Sequence, residues 1–323
     1  MFWPQKNIAN LLNIQHPIIQ APMAGASTPE LVAAVSNAGG LGSHGAAPQS
    51  LEALRNTIKE IKSLTNKPFN INLFHHSTEG FDEGIQISDR HHQLLSQYHR
   101  EQGLGEIPSP RGLFGPAHDQ LTVLVDENVP VISFHYGVDA DTIAYAKSGG
   151  AIALCSATTA HEAVLLEQAG IDAVIAQGSE AGGHQGNFHS TTPALIGCMA
   201  LIPRIADAVS VPVIAAGGIM DARGIVASFA LGANGVQMGT AFLGCQETQL
   251  SATWLSELER AEGEDTVITE AFSGKPARGL RNRYINETDA IDEPLLPYSA
   301  QYSISSDLRK QAIQQGNKDF MVM

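Results

Sequence analysis

Residues 177–186, Gln-Gly-Ser-Glu-Ala-Gly-Gly-His-Gln-Gly, carry the densest chemistry in the chain. Gly178, Gly182, Gly183 and Gly186 allow peptide amides to approach a ligand closely. One imidazole, His184, sits among them. Clustered amides bind anions, and a histidine moves protons near neutral pH. The segment therefore predicts an anion or cofactor site beside a general base. The apolar run before it, 171–176, has the length and branched composition of a buried parallel strand.

Other apolar runs end in comparable turns. After the first comes Gln20-Ala21-Pro22-Met23-Ala24-Gly25, where small residues and a proline bend admit a flat ligand. After the third comes Asn72, placed to give an amide to a heteroaromatic ring edge or to cap the next segment. After the fourth comes His135, placed to face the same mouth. Gly217-Gly218 and Gln237-Met238-Gly239-Thr240 follow the last two runs and lead directly into helical patterns. Helix N-termini offer unpaired N–H groups at a positive dipole end, and barrel enzymes commonly hold phosphate at these two loops. Gln237, Thr240 and Gln177 add side-chain donors. No P-loop is present, which argues against ATP.

Apolar strand-like runs position these residues, at 18–21, 41–43, 69–73, 131–134, 151–154, 173–176, 213–216 and 235–238. Helical patterns separate them at 29–38, 50–65, 120–128, 140–147, 159–169, 194–208 and 221–231. The alternation predicts an α/β fold, a (β/α)8 TIM barrel. A doubly wound open sheet would have fewer strands and an early G-x-G-x-x-G, which is missing. Residues 1–245 form the expected barrel, with a long histidine-rich excursion at 75–118. Residues 246–323 form an added, mostly helical cap or substrate region.

The 323 residues carry a formal net charge of −14 and no long basic block, which excludes nucleic acid as a natural partner. No apolar run approaches the roughly 18 residues of a membrane span. The N-terminal stretch lacks the pattern of a secretory leader. Cys155, Cys198 and Cys245 are scattered, with no C-x-x-C, as suits a reducing, cytoplasmic compartment. His75-His76 and His91-His92 lack Asp, Glu or Cys at ligand spacing, so no metal is expected and these histidines read as solvated.

In order along the chain, 20–25, Asn72-Leu73-Phe74, Ser133-Phe134-His135, 177–186, 215–224, 230–242 and 273–278 resemble the nitronate monooxygenases, formerly grouped as 2-nitropropane dioxygenases. The resemblance implies a barrel with a second domain and non-covalent FMN. It implies cofactor contacts from Met23, Asn72, Gln177, Gly182, Gly183, Gly217, Gly218, Gln237, Met238, Gly239 and Thr240. His184 becomes the catalytic histidine. Outside the resemblance, Tyr298 and Tyr302 lie one helical turn apart, placed either to line the substrate pocket or to pack, and His135 is either a substrate-facing residue or a satisfied core histidine. The implied reaction is oxidative denitrification of an alkyl nitronate, such as propionate 3-nitronate, by dioxygen to a carbonyl product and nitrite. His184 either takes the α-proton of a nitroalkane or donates to the nitronate oxygens. Flavin-type enoyl-acyl-carrier-protein reductases share Glu180-Ala181-Gly182-Gly183-His184 and are the alternative, together with NAD(P)H:quinone reductases. A flavin- or phosphate-binding barrel without catalysis is the reading of another class.

Overall fold

A computed structural model describes residues 3, 7–47, 49–75, 84–112 and 117–323. His76 lies outside them. The chain divides into two compact units, Met1–Ser77 with Gly115–Gln249, and Thr78–Phe114 with Leu250–Met323.

The first unit contains eight parallel strands, β1 (Ile18–Gln20), β2 (Gly42–Gly45), β3 (Phe69–Phe74), β4 (Val131–His135), β5 (Ile152–Ala157), β6 (Ala173–Gln177), β7 (Val213–Ala216) and β8 (Gly235–Met238). They run in chain order, with β8 beside β1 in the register Ile19↔Gln237. A parallel bridge between Ile19 and Leu41 joins β1 to the start of β2 and closes the ring. The structure is therefore the predicted (β/α)8 barrel.

Alternation along each strand sorts the side chains. Ile132 and Phe134 of β4, Ala153 and Cys155 of β5, and Val174 and Ala176 of β6 belong to the outer core against the helices. Ile19, Leu41, Val131, Leu154, Ala173, Ile175 and Ile214 fill the interior, with Ile8 and Leu12 of helix α1 (Asn7–Leu12) packed among them. The same inner faces turn polar toward the C-terminal ends of the strands. Ser133, His135, Ser156 and Gln177 lie there by their two-residue spacing from those positions, and Asn72 and Gln237 by alternating with the outward Ile71, Leu73, Val236 and Met238. The barrel is thus oily at one end and polar at the other.

Helices α2 (Pro29–Asn37), α3 (Leu51–Leu64), α5 (Ala117–Asp126), α6 (Ala140–Ser148), α7 (Ala160–Ala169), α8 (Cys198–Ala206) and α9 (Ala222–Ala230) connect the strands, while α4 (Asp89–Glu101) lies in the second unit. Side chains of Thr28, Ser50, Asp139, Thr159 and Asp221 cap five of them, each cap worth about 1 kcal/mol. The helix expected at 194–208 starts only at Cys198. Leu195 adopts φ 49° and Gly197 is the N-cap, so the chain before it cannot be helical.

The second unit revises the expected domain boundaries. Excursion residues 78–114 group with 250–323 rather than with the barrel. The unit is also not wholly helical, because Thr266–Thr269 and Ala277–Leu280 pair as an antiparallel hairpin in the register Thr266↔Leu280. In α4, His91, Leu95, Tyr98 and His99 are buried along one face. Their spacing is helical, but histidines and a tyrosine supply three of the four positions, which hides the stripe from an aliphatic pattern. The expectation of solvated histidines is therefore wrong for His91.

Burial pushes the His91 imidazole down to about 4. Its ordinary value is about 6.5, so the unfolded chain binds the proton more readily. The stabilisation is complete above about pH 6.5 and disappears as pH falls through the folded value, at up to about 1.4 kcal/mol per pH unit. Thermal melts across that window should show the loss, and His91→Gln should flatten it. An unchanged slope in the variant would remove His91 as the cause.

Candidate active site

The polar end of the barrel gathers its loops closely. A Cβ on Gly239 would lie 3.7 Å from Met23 Sδ, and one on Gly182 would lie 3.8 Å from Thr240 Oγ1. A Cβ on Gly217 would lie 3.1 Å from the backbone nitrogen of Ala181, and one on Gly218 would lie 3.2 Å from Glu180 Cβ. The turns after β1, β6, β7 and β8 therefore meet around Gly182, Gly183, Gly217, Gly218, Gly239 and Thr240. Met238 is buried at the end of β8, and its carbonyl accepts from the amide of Ala21 at 2.8 Å.

Donors at these turns differ from the sequence expectation in one respect. No helix begins directly behind Gly217-Gly218. Helix α9 starts at Ala222, and the Asp221 side chain accepts from the amides of Arg223 and Gly224 at 2.9 and 3.4 Å. That helix end is already capped. The donors at this loop are instead the glycine amides themselves. The backbone N–H groups of Gly217, Gly218, Gly239 and Thr240 reach no acceptor among the described residues. The short helix Thr240–Leu243 also has no side-chain cap. Gly218 and Thr240 are exposed and Gly217 and Gly239 half-buried, so these four groups are accessible and suited to an anion.

Two side-chain oxygens face the same interior. Gln237 Oε1 is buried with no hydrogen-bond partner among the described residues. Asn72 Nδ2 donates to the Ser133 carbonyl at 3.2 Å and to Ser133 Oγ at 3.0 Å. A carbonyl only accepts, so the orientation of the Asn72 amide is fixed and its oxygen is the atom it presents. To a ligand Asn72 would offer an acceptor, not the donor that its position alone suggested.

His184 is held from several sides. Gln177 Nε2 donates to the His184 carbonyl at 2.9 Å, while Gln177 Oε1 accepts from the Gly186 amide at 2.7 Å. Both ends of the Gln177 amide therefore brace the 184–186 backbone. His135 Nε2 meets the same His184 carbonyl at 3.2 Å, and His135 Nδ1 meets Ser156 Oγ at 2.7 Å. The His184 ring stands edge-on to Phe74 and Tyr136, with centroids 5.6 and 6.2 Å away. Tyr136 adopts φ 70°, a left-handed conformation that strains a non-glycine residue.

A further tether follows in the chain. Glu162 is buried, and one carboxylate oxygen accepts from the amides of Phe188 and His189 at 2.8 and 3.2 Å. Its other oxygen accepts from the amide and hydroxyl of Thr158 at 2.7 and 2.8 Å. Phe74, Tyr136, Ser156 and Glu162 are site residues that the sequence reading did not single out. The inward spacing of Phe74 and Ser156 on β3 and β5 was the available signal for two of them.

Tyr298 and Tyr302 belong to the second unit, unlike the other candidates. They do not share a helix face, since helix Ala300–Ile304 includes Tyr302 but begins after Tyr298. The Arg309 guanidinium lies 3.5 Å from the Tyr302 ring centroid and donates to the Tyr302 carbonyl at 2.8 Å. One face of that ring is therefore covered. Burial raises the Tyr298 phenol above its ordinary range.

Among the described residues no activated cysteine stands beside His184. Burial, with Glu180 nearby, pushes the Cys198 thiol up to about 12, and Cys155 is buried. No group of three or more histidine, cysteine, aspartate or glutamate side chains is arranged to hold a metal among the described residues. No described helix is long and apolar enough to cross a membrane.

Comparison with known proteins adds the following. The sequence profile of the nitronate monooxygenase family matches residues 5–323. A probable nitronate monooxygenase of Staphylococcus saprophyticus is 41% identical over 318 residues, covering 96% of this chain and 88% of the relative. One from Staphylococcus aureus strain Newman is 40% identical over 324 residues, covering 99% and 91%. Among solved structures, nitroalkane oxidase from Streptomyces ansochromogenes superposes with a TM-score of 0.87 at 36% identity, covering 98% of this chain and 90% of that one. FabK from Thermotoga maritima gives 0.77 at 32% identity, covering 99% and 89%.

Proposed function

Since the chain belongs to the nitronate monooxygenase family, we propose that it is an FMN-dependent enzyme that oxidises small alkyl nitronates, such as propionate 3-nitronate, with dioxygen in the cytoplasm. The products are an aldehyde or keto compound and nitrite.

The observation that carries this reading is the pairing of four open backbone amides with two inward-facing oxygens beside a braced histidine. The amides of Gly217, Gly218, Gly239 and Thr240 fit a flavin phosphate. Gln237 Oε1 and Asn72 Oδ1 fit N–H groups of a flavin ring, and Met23, Gly182 and Gly183 supply small or soft surface around it. When bound, FMN supplies the electron acceptor for the nitronate and passes electrons on to dioxygen.

The protein's own contribution is proton handling and orientation. A neutral His184 takes the α-proton of a nitroalkane, and its protonated form then faces the nitronate oxygens as a donor. A substrate supplied as the nitronate is already an anion and needs only the second role. Gln177 fixes the backbone, so the imidazole does not have to be ordered when substrate arrives.

Purified protein reconstituted with FMN should release nitrite from propionate 3-nitronate and consume oxygen without a nicotinamide. Steady NAD(P)H oxidation with an enoyl thioester or a quinone, and no nitrite, would assign the chain to the reductase reading instead.

A further inference from the structure

His135 has a role that follows from its two ring nitrogens. Nε2 lies 3.2 Å from the His184 carbonyl, and Nδ1 lies 2.7 Å from Ser156 Oγ. A carbonyl oxygen accepts only, so Nε2 must carry a proton. In the neutral ring Nδ1 is then the acceptor, and the Ser156 hydroxyl donates to it. Ser156 thus selects the tautomer, and the tautomer serves the backbone of the residue that does the chemistry.

The surroundings leave this ring little freedom. A Cβ on Gly186 would lie 2.6 Å from His135 Cε1 and 2.6 Å from Ser156 Oγ, so the returning loop runs against the pair without room for a side chain. The His135 ring also lies 5.3 Å from Phe74 and 4.7 Å from Tyr136, the two rings that flank the His184 imidazole. His135 therefore contacts the His184 backbone directly and the aromatic wall on its other side.

We propose that His135 is a positioning residue rather than a substrate ligand: with Ser156 it fixes the His184 peptide, and with it the angle at which the His184 imidazole is presented. The proposal rests on the assignment of His184 as the catalytic group. It makes His135 and Gln177 two donors converging on one carbonyl, so loss of either removes one of these two bonds.

The test compares His135→Ala, His135→Phe and His135→Gln in the FMN-loaded full-length protein. Phenylalanine keeps a flat ring without a donor. Glutamine places an amide N–H near the position of Nε2. Nitroalkane kcat should fall about 10- to 100-fold in the Ala and Phe variants, with KM within about twofold of wild type, and Gln should recover most of the loss. Amide hydrogen exchange gives a readout that does not depend on turnover. Exchange across 183–189 should accelerate in Ala and Phe but not in Gln, while β3 stays protected in all three. A Phe variant that behaves as wild type would make His135 a packing residue and overturn the proposal. So would a raised KM at unchanged kcat, which would mark direct substrate contact. If wild-type protein releases no nitrite, the functional reading fails, and the exchange pattern alone still decides the positioning role.

Discussion

His184→Asn should retain FMN and lose about 10²- to 10⁴-fold of turnover on a neutral nitroalkane, the range expected when a general base is removed. The flavin should stay because the groups assigned to it lie on other residues, chiefly the amides of Gly217, Gly218, Gly239 and Thr240. The backbone should stay because Gln177 and His135 hold the carbonyl of residue 184, not its ring. Preformed nitronate should be affected much less. It has no α-proton to surrender, and the asparagine amide can still donate a hydrogen bond to its oxygens. Comparison of initial rates on a nitroalkane and its nitronate, at matched flavin content, separates the two roles of the imidazole. Equal and small losses on both would take His184 out of the mechanism.

Gly217→Ala should cost the protein its flavin. Gly217 adopts φ 119°, where a side chain strains the backbone by about 1–3 kcal/mol. Its Cβ would also press on the Ala181 nitrogen at 3.1 Å, Cys198 Sγ at 3.2 Å and the Gly178 carbonyl at 3.2 Å. Two of those three neighbours are backbone, so the new methyl is relieved only by moving the 217–218 turn. That movement takes two of the four amides proposed to hold the phosphate out of place. Each 1.4 kcal/mol lost is about tenfold in Kd, so a loss of about 2–3 kcal/mol weakens FMN by roughly 30- to 150-fold. Fluorescence titration of apoprotein with FMN, at a temperature where circular dichroism shows the variant folded, measures this. Wild-type affinity in the folded variant would remove the loop after β7 from the phosphate site.

The barrel was legible because buried parallel strands and amphipathic helices leave different periods, and all eight strands fall where apolar runs predict them. The inward positions of Asn72, His135, Gln177 and Gln237 follow from the two-residue alternation of those strands. What each polar group does was not legible. Gln177 was expected to reach a ligand, and its position did not reveal that each end of its amide also holds the backbone of 184 and 186. That choice depends on where the chain returns after a glycine-rich turn, which no local pattern records. Helix α4 was hidden for a different reason, because its buried stripe is built largely of histidine and tyrosine. The grouping of 78–114 with 250–323 was hidden because contacts so distant in sequence leave no periodic trace. Tyr298 and Tyr302 show the opposite error. Four-residue spacing suggests a shared helix face, but the helix starts between them.

A crystal structure of the FMN-loaded protein tests the central claim most directly. The phosphate should receive hydrogen bonds from the amides of Gly217, Gly218, Gly239 and Thr240, with the ring system next to the His184 imidazole. A phosphate held elsewhere, or a ring out of reach of His184, would contradict this account.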